Sequence, residues 1–286
     1  MKHLLFTAIF LFAAPIVHAQ ETGSEQFSGK KITRKAIYSV SGAFTDLNNW
    51  NAGGENSSNM AVLARENWKV VTENWTTVHL AEANYGLSRQ AGLLTKNADR
   101  LEWTTTITGN PNGSDWKVSG QANLRTQMAA GFAAGDTSRT PISNFGAPLY
   151  GQFSFGIGNN AYEHWQLFIS PVAAKTTTVL DSALSNKGAF GVDPGTVFRF
   201  EGGAKFTANY QRDFTDQFSL TGKSDIFLNY ATPLNTVDIA VELIAMYKIK
   251  EFLTLNGHVQ FVRDIDVIDL WQRRSVMGIG LAWQIQ

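Results

Sequence analysis

Over residues 116–128 the chain alternates strictly. Trp116, Val118, Gly120, Ala122, Leu124, Thr126 and Met128 fall on one side, and Lys117, Ser119, Gln121, Asn123, Arg125 and Gln127 on the other. Successive side chains of a strand point to opposite faces, so period two predicts a strand with one apolar and one polar face. Soluble strands usually run about five or six residues; an alternation this long suits a tilted strand that crosses a bilayer and extends beyond it.

The same pattern returns at 198–210, with Phe198, Phe200, Gly202, Ala204, Phe206, Ala208 and Tyr210 against Arg199, Glu201, Gly203, Lys205, Thr207 and Asn209. At 217–230, Phe218, Leu220, Gly222, Ile226, Leu228 and Tyr230 oppose Gln217, Ser219, Thr221, Lys223, Asp225 and Asn229. Aromatics close both ends of each apolar face, where interfacial girdles belong. Less regular alternation at 35–44, 57–68, 74–87, 97–108, 148–159, 162–171, 236–248, 252–262 and 274–285 brings the expected number to about twelve. An even number puts both termini at one end. The connections 45–56, 88–96, 131–147, 172–195 and 263–273 are then the longer outer loops, and 159–161, 212–216 and 248–251 the short inner turns. Thr232-Pro233-Leu234-Asn235 is expected as a tight outer turn. The predicted fold class is all-β: a single antiparallel up-and-down transmembrane barrel.

Met1-Lys2-His3, an apolar run and Val17-His18-Ala19 have the charged, apolar, small-residue order of a secretory signal. The expected organisation is a signal peptide at 1–19, a short periplasmic segment at 20–33 and the barrel at 34–286, in the outer membrane of a Gram-negative bacterium. No later apolar stretch is long enough for a spanning helix. The chain has no cysteine, so disulfides, thiolate metal sites and an N-terminal lipid on cysteine are excluded. Lys plus Arg and Asp plus Glu balance at 24 each, which gives no basic surface for nucleic acid.

Several short motifs occur down the chain: Trp50-Asn51-Ala52-Gly53-Gly54-Glu55-Asn56-Ser57, Asn84-Tyr85-Gly86-Leu87, Thr126-Gln127, Ile142-Ser143-Asn144-Phe145-Gly146-Ala147-Pro148, Ser170-Pro171 with Lys175, and Gly278-Ile279-Gly280-Leu281. Together they resemble the domain of unknown function 3078 family, outer-membrane proteins of Bacteroidetes-type bacteria. This sequence has Asn51 where the family pattern leads one to expect alanine, and it ends on Ile285-Gln286 rather than phenylalanine. The resemblance implies a barrel and a compartment; it transfers no catalytic residue. The ending at 280–286 also resembles the C-terminal signal read by the barrel-assembly machinery, an expected partner alongside outer-membrane lipid and lipopolysaccharide.

If the apolar faces meet lipid, the lumen receives Arg65, Glu82, Arg100, Glu102, Lys117, Arg125, Arg199, Glu201, Lys205, Lys223, Asp225, Asp238, Glu242 and His258. Such a set either lines a water-filled passage or closes a narrow interior by pairing. Lumen width grows with strand number, and about twelve strands favours the narrow case. The expected function is passage or binding of small polar solutes through a narrow, porin-like barrel. The alternative is a non-conducting structural or partner subunit, and an enzyme is a distant third. None of His79-Leu80-Ala81, His164-Trp165-Gln166 and His258-Val259-Gln260 supplies the His-x-Ser pair of outer-membrane phospholipases. Asp264-Ile265-Asp266 lacks the Asp-x-His that accompanies such a pair in omptin-like proteases. Asp264, Asp266 and Asp269 have oxygen ligands for calcium but not a calcium-loop pattern, so no cofactor is expected. Trp50, Gly53, Gly54, Glu55 and Asn56 are expected to shape the outer mouth, because Gly-Gly allows a backbone reversal and Trp50 can anchor at the interface.

Overall fold

The computed structural model describes residues 26–27, 30–45, 57–90, 92–109, 114–133, 138–159, 162 and 164–285. Twelve long strands form the wall: β1 (Lys30–Thr45), β2 (Ser57–Val71), β3 (Trp75–Gln90), β4 (Leu93–Gly109), β5 (Trp116–Thr126), β6 (Leu149–Asn159), β7 (Trp165–Thr178), β8 (Phe198–Asp213), β9 (Phe218–Asn229), β10 (Asp238–Lys248), β11 (Leu253–Asp264) and β12 (Ile268–Ile285). Each pairs antiparallel with its sequence neighbours, and β12 pairs with β1, so the sheet closes as a barrel. A two-residue strand, Gln26–Phe27, turns back against Lys30 and Lys31. The closing seam joins residues 36–41 of β1 to residues 280–285 of β12 in six register pairs, against fifteen between β1 and β2.

The two faces of the wall follow the alternation. On β8, Phe198 and Phe200 are exposed outward, while Glu201, Lys205 and Thr207 are buried inward. On β5, Trp116 and Leu124 face out and Ser119 is buried inside. A wall that puts phenylalanine outside and lysine inside is the reverse of a soluble protein and matches a lipid solvent. Trp75, Trp116 and Trp165 open β3, β5 and β7, and Tyr210 packs on Trp165 with ring centroids 4.9 Å apart. These rings belt the barrel at the end that carries both chain termini, here called the terminal rim; the opposite end is the loop rim.

β7 departs from the rule. Pro171 and Val172 enter a bulge, with register shifts between Ser170 and Ala173 against β8 and between Ile169 and Val172 against β6. Proline donates no ladder hydrogen bond, so a bulge is where a strand tolerates it. The extra residue reverses the phase of everything beyond it. Ser170 and Lys205 share the lumen face below the bulge, as Ala173 and Gly203 do above it, so Lys175 points inward.

Among the described residues, the loop rim holds two contrasting kinds of connection. β3–β4 and β11–β12 close tightly, with Gln90 opposite Leu93 and Asp264 opposite Ile268. The longer loops expected at 88–96 and 263–273 are therefore largely strand: the ladder continues above the apolar belt, where alternation no longer carries an apolar face. By contrast, 127–148 and 179–197 are long, and residues 144–147 of the first pack on the second. Ala147, Val179, Leu184 and Val192 form a small buried core, with Leu184 on the short helix α1 (Ser182–Ser185). Leu180 N donates to Gly146 O at 2.9 Å. The Asp181 carboxylate caps α1 through the amides of Ala183 and Leu184, and accepts from Asn144 across the loop boundary at 3.2 Å.

Candidate functional site

The lumen charges form two tiers. The middle tier begins on β2 and β3, where the Arg65 guanidinium lies 2.5 Å from Glu82. Arg100 on β4 approaches Glu82 at 3.5 Å, Glu102 at 3.8 Å and Glu242 at 3.4 Å. β4 and β10 are six strands apart in a ring of twelve, so the Arg100–Glu242 contact crosses the full lumen. Lys223 reaches from β9 to Glu102 at 3.9 Å and to Asp225 at 3.3 Å. Lys205, only 4 % exposed, lies 3.4 Å from Asp225 and donates to Gln121 and Gln152 at 2.8 and 2.9 Å. His258 Nε2 stands 2.7 Å from a Glu242 oxygen, an attractive contact whenever the imidazole is protonated.

The second tier lies nearer the loop rim and centres on Lys175. Its Nζ is 2.6 Å from Asp238, 3.3 Å from Asp264 and 3.7 Å from Glu201. Arg199 joins Glu201 at 3.0 Å to Asp266 at 2.8 Å and donates to the carbonyl of Gly191 at 3.0 Å. The chain bends at Gly191, with φ +79°, and a side chain there would collide with Arg199 and Asp266. Only glycine combines that conformation with so close an approach. Through this contact the 179–197 loop is tied to the lumen charges.

Most of the charges expected in the lumen are thus brought together. Arg125 instead stacks over the Tyr150 ring at 5.0 Å, and Lys117 stands half-buried on the lumen side of β5. Trp50, Gly53, Gly54, Glu55 and Asn56 lie outside the described residues, as does the signal segment 1–19. Of the acidic trio considered for calcium, Asp264 and Asp266 cluster with Asp238 rather than Asp269, and Lys175 and Arg199 already face them. Lys175 falls within the loop expected at 172–195; the strand instead runs on to Thr178, and the bulge that Pro171 marks turns Lys175 inward.

The outer wall also holds a charged pair that parity misses. Arg34 and Glu66 pair on the lipid-facing side of β1 and β2, with Nε and Nη2 at 2.7 and 2.5 Å from the two carboxylate oxygens, and Tyr38 donates to the same carboxylate. Register places them on the face of Trp68, Ala64 and Ala81. Trp68 stacks on Trp103 beside them, with centroids 5.8 Å apart.

Comparison with curated protein sequences gives no match. Among solved structures, an outer membrane channel from Pseudomonas putida is 11% identical, covering 92% of this chain and 97% of that one, with a TM-score of 0.41. Outer membrane phospholipase A from Escherichia coli is 11% identical over 87% of this chain and 89% of its own, at 0.37. The translocator domain of the autotransporter NalP from Neisseria meningitidis is 10% identical over 90% and 89%, at 0.35. Residues 43–132 match the family described as "Protein of unknown function (DUF3078)". The described residues form a closed antiparallel β-barrel of twelve long strands, and over residues 43–132 the chain is similar to the DUF3078 family.

Proposed function

We propose that this protein is a narrow barrel of the Gram-negative outer membrane, reached by signal-peptide-dependent export and assembly by the barrel-assembly machinery, that passes or binds small polar solutes. The contact of Arg100 with Glu242 across the whole lumen carries the reading, because an open porin leaves water between opposite walls. Below the middle tier, Thr104, Thr106, Ser119 and Asn123 share the polar face, which offers hydroxyls and amides to a solute. The charged mesh above them sets size and selectivity. The reading assigns no catalytic step and no cofactor.

Single-channel recording on the reconstituted barrel tests this. Wild-type protein gives small currents, and Arg100→Ala with Glu242→Ala raises them about tenfold, the ratio that about 1.4 kcal/mol of barrier would give. Large, steady wild-type currents would overturn the narrow lumen. Silence in both proteins would overturn passage and favour the non-conducting subunit.

A further inference from the structure

The Arg34–Glu66 pair is out of place on a lipid-facing wall. Charges inside a bilayer are expensive and ordinarily face a protein interior or snorkel to the interface. Here they sit beside the Trp68–Trp103 stack, with Arg34 opposite Trp68, whose β3 partner His79 is four positions along the strand from the rim residue Trp75. Arg34 remains 35% exposed and Glu66 15%. Together they present a cation and an anion on the outer wall, in the half of β2 nearer the terminal rim.

A shallow apolar groove of about 360 Å³ starts at Glu66 and runs along the wall. Its floor is Ala64, Ala81 and Ala83, and Leu101, Trp103 and Leu124 form its side. Register explains the shape: Ala64 lies opposite Ala83 and Glu66 opposite Ala81, while Leu101 and Trp103 follow on β4. Three alanines in adjoining rows lower the wall by the length of a large side chain. The side residues are exposed by about two-fifths or more, at 40%, 45% and 46%, and leave the groove open to the bilayer.

We propose that this groove binds one phospholipid with a phosphate and an ammonium in its headgroup: the phosphate on Arg34, the ammonium on Glu66 and an acyl chain over the alanine floor. A charge pair of both signs at the head of an apolar trough complements a zwitterionic headgroup and its chain. An anionic headgroup satisfies Arg34 and leaves Glu66 facing a phosphate or hydroxyl. The terminal rim is the periplasmic side when both termini are periplasmic, and that leaflet of the outer membrane is built of phospholipid.

Native mass spectrometry of the detergent-purified barrel, titrated with phosphatidylethanolamine or phosphatidylglycerol, tests the site. Wild-type protein retains one phosphatidylethanolamine with about tenfold preference over phosphatidylglycerol. Arg34→Gln cuts retention of both lipids, and Glu66→Gln abolishes the preference. Ala83→Phe fills the groove from the lipid side and cuts retention without touching the charge pair; Phe155→Ala, outside the groove, leaves it unchanged. Heat-modifiable gel migration shows that each variant is folded, and Ala83→Phe alone decides the matter if Arg34→Gln fails to fold. Equal retention of the two lipids by wild type overturns the headgroup assignment, and unchanged retention in Ala83→Phe overturns the site. A dimer that displaces lipid assigns the groove to a second copy and also overturns it.

Discussion

β7 and β8 are neighbours paired over most of their length, yet they obey different rules. β8 alternates without interruption, so one parity settles which residues meet lipid and which meet the lumen. β7 changes phase at Pro171–Val172, and residues of both parities reach the lumen: Phe168 and Ser170 before the bulge, Lys175 and Thr177 after it. Whether the extra residue is taken up in a bulge therefore decides whether Lys175 is the hub of the loop-rim tier or a cation in the membrane. The charge network depends on local backbone phase as much as on residue type.

Inserting one alanine after Ala173 should break this difference with the largest effect. The residues beyond the insertion would change face, carrying Lys175 to the lipid side, whereas deleting Val172 would only remove the bulge and leave Lys175 inward. A lysine near the midplane costs about 2–4 kcal/mol, and the stranded Asp238, Asp264 and Glu201 add a further cost, since removing one partner of a buried ion pair destabilises by about 3–5 kcal/mol. The insertion should prevent the compact, heat-modifiable form on unheated gels, and the Val172 deletion should retain it. An insertion variant that migrates like wild type would show that the inward phase of Lys175 is not what holds the barrel together.

A smaller effect sharpens the β8 side of the comparison. Phe206→Arg puts a cation on the lipid face and should cost about 2–4 kcal/mol if near the midplane. Thr221→Arg, on the lumen face of adjacent β9, should cost about 1 kcal/mol or less. Urea titrations of the vesicle-inserted barrel, followed by tryptophan fluorescence, measure both. Equal costs would mean the two faces are wrongly assigned.

The smallest effect belongs to the loop that joins the two strands. The side-chain amide of Asn144, then the backbone amides of Leu184 and Ala183, hold the Asp181 carboxyl below its ordinary value. A carboxyl lowered in this way contributes its stability above its unfolded pKa, about 4, and loses it as pH falls through the lowered value. The residue is half-buried at the surface and open to screening by solvent, so the contribution is about 0.5 kcal/mol or less. Exchange protection of the Leu184 amide, compared with that in Asp181→Asn, should exceed the variant's at pH 6 and converge with it in acid. A difference that persists unchanged below pH 3 would remove the carboxylate from the clamp.

Much of the barrel was legible because lipid enforces one rule along every uninterrupted strand. Phe198 to Tyr210 and Trp116 to Leu124 could be assigned by parity, and that parity also placed Arg100, Glu102, Glu201, Lys205, Asp225 and Glu242 inside. Three things escaped it. Lys175 lies beyond a bulge, where counting residues no longer counts faces. The strand ends near Gln90, Leu93 and Ile268 extend above the apolar belt, where neither face need be apolar. Glu66 stands on the lipid-facing parity, where a composition rule expects no carboxylate, and only register shows Arg34 beside it. Which charges meet across the lumen was also beyond the sequence, since Arg100 and Glu242 are brought together by closure.

The seam between β1 and β12 bears on the order of events in the life of the barrel. Its six register pairs join residues more than two hundred positions apart, whereas the hairpin ladders join near neighbours. Closing so long a loop is entropically the hardest contact to make, and it cannot form before both ends of the chain are in place. The hairpins can therefore zip in sequence from local encounters, with the seam as the last and slowest step. The same shortness makes it the first ladder to part under load, so a barrel pulled from its ends should open there as a single event before any hairpin yields.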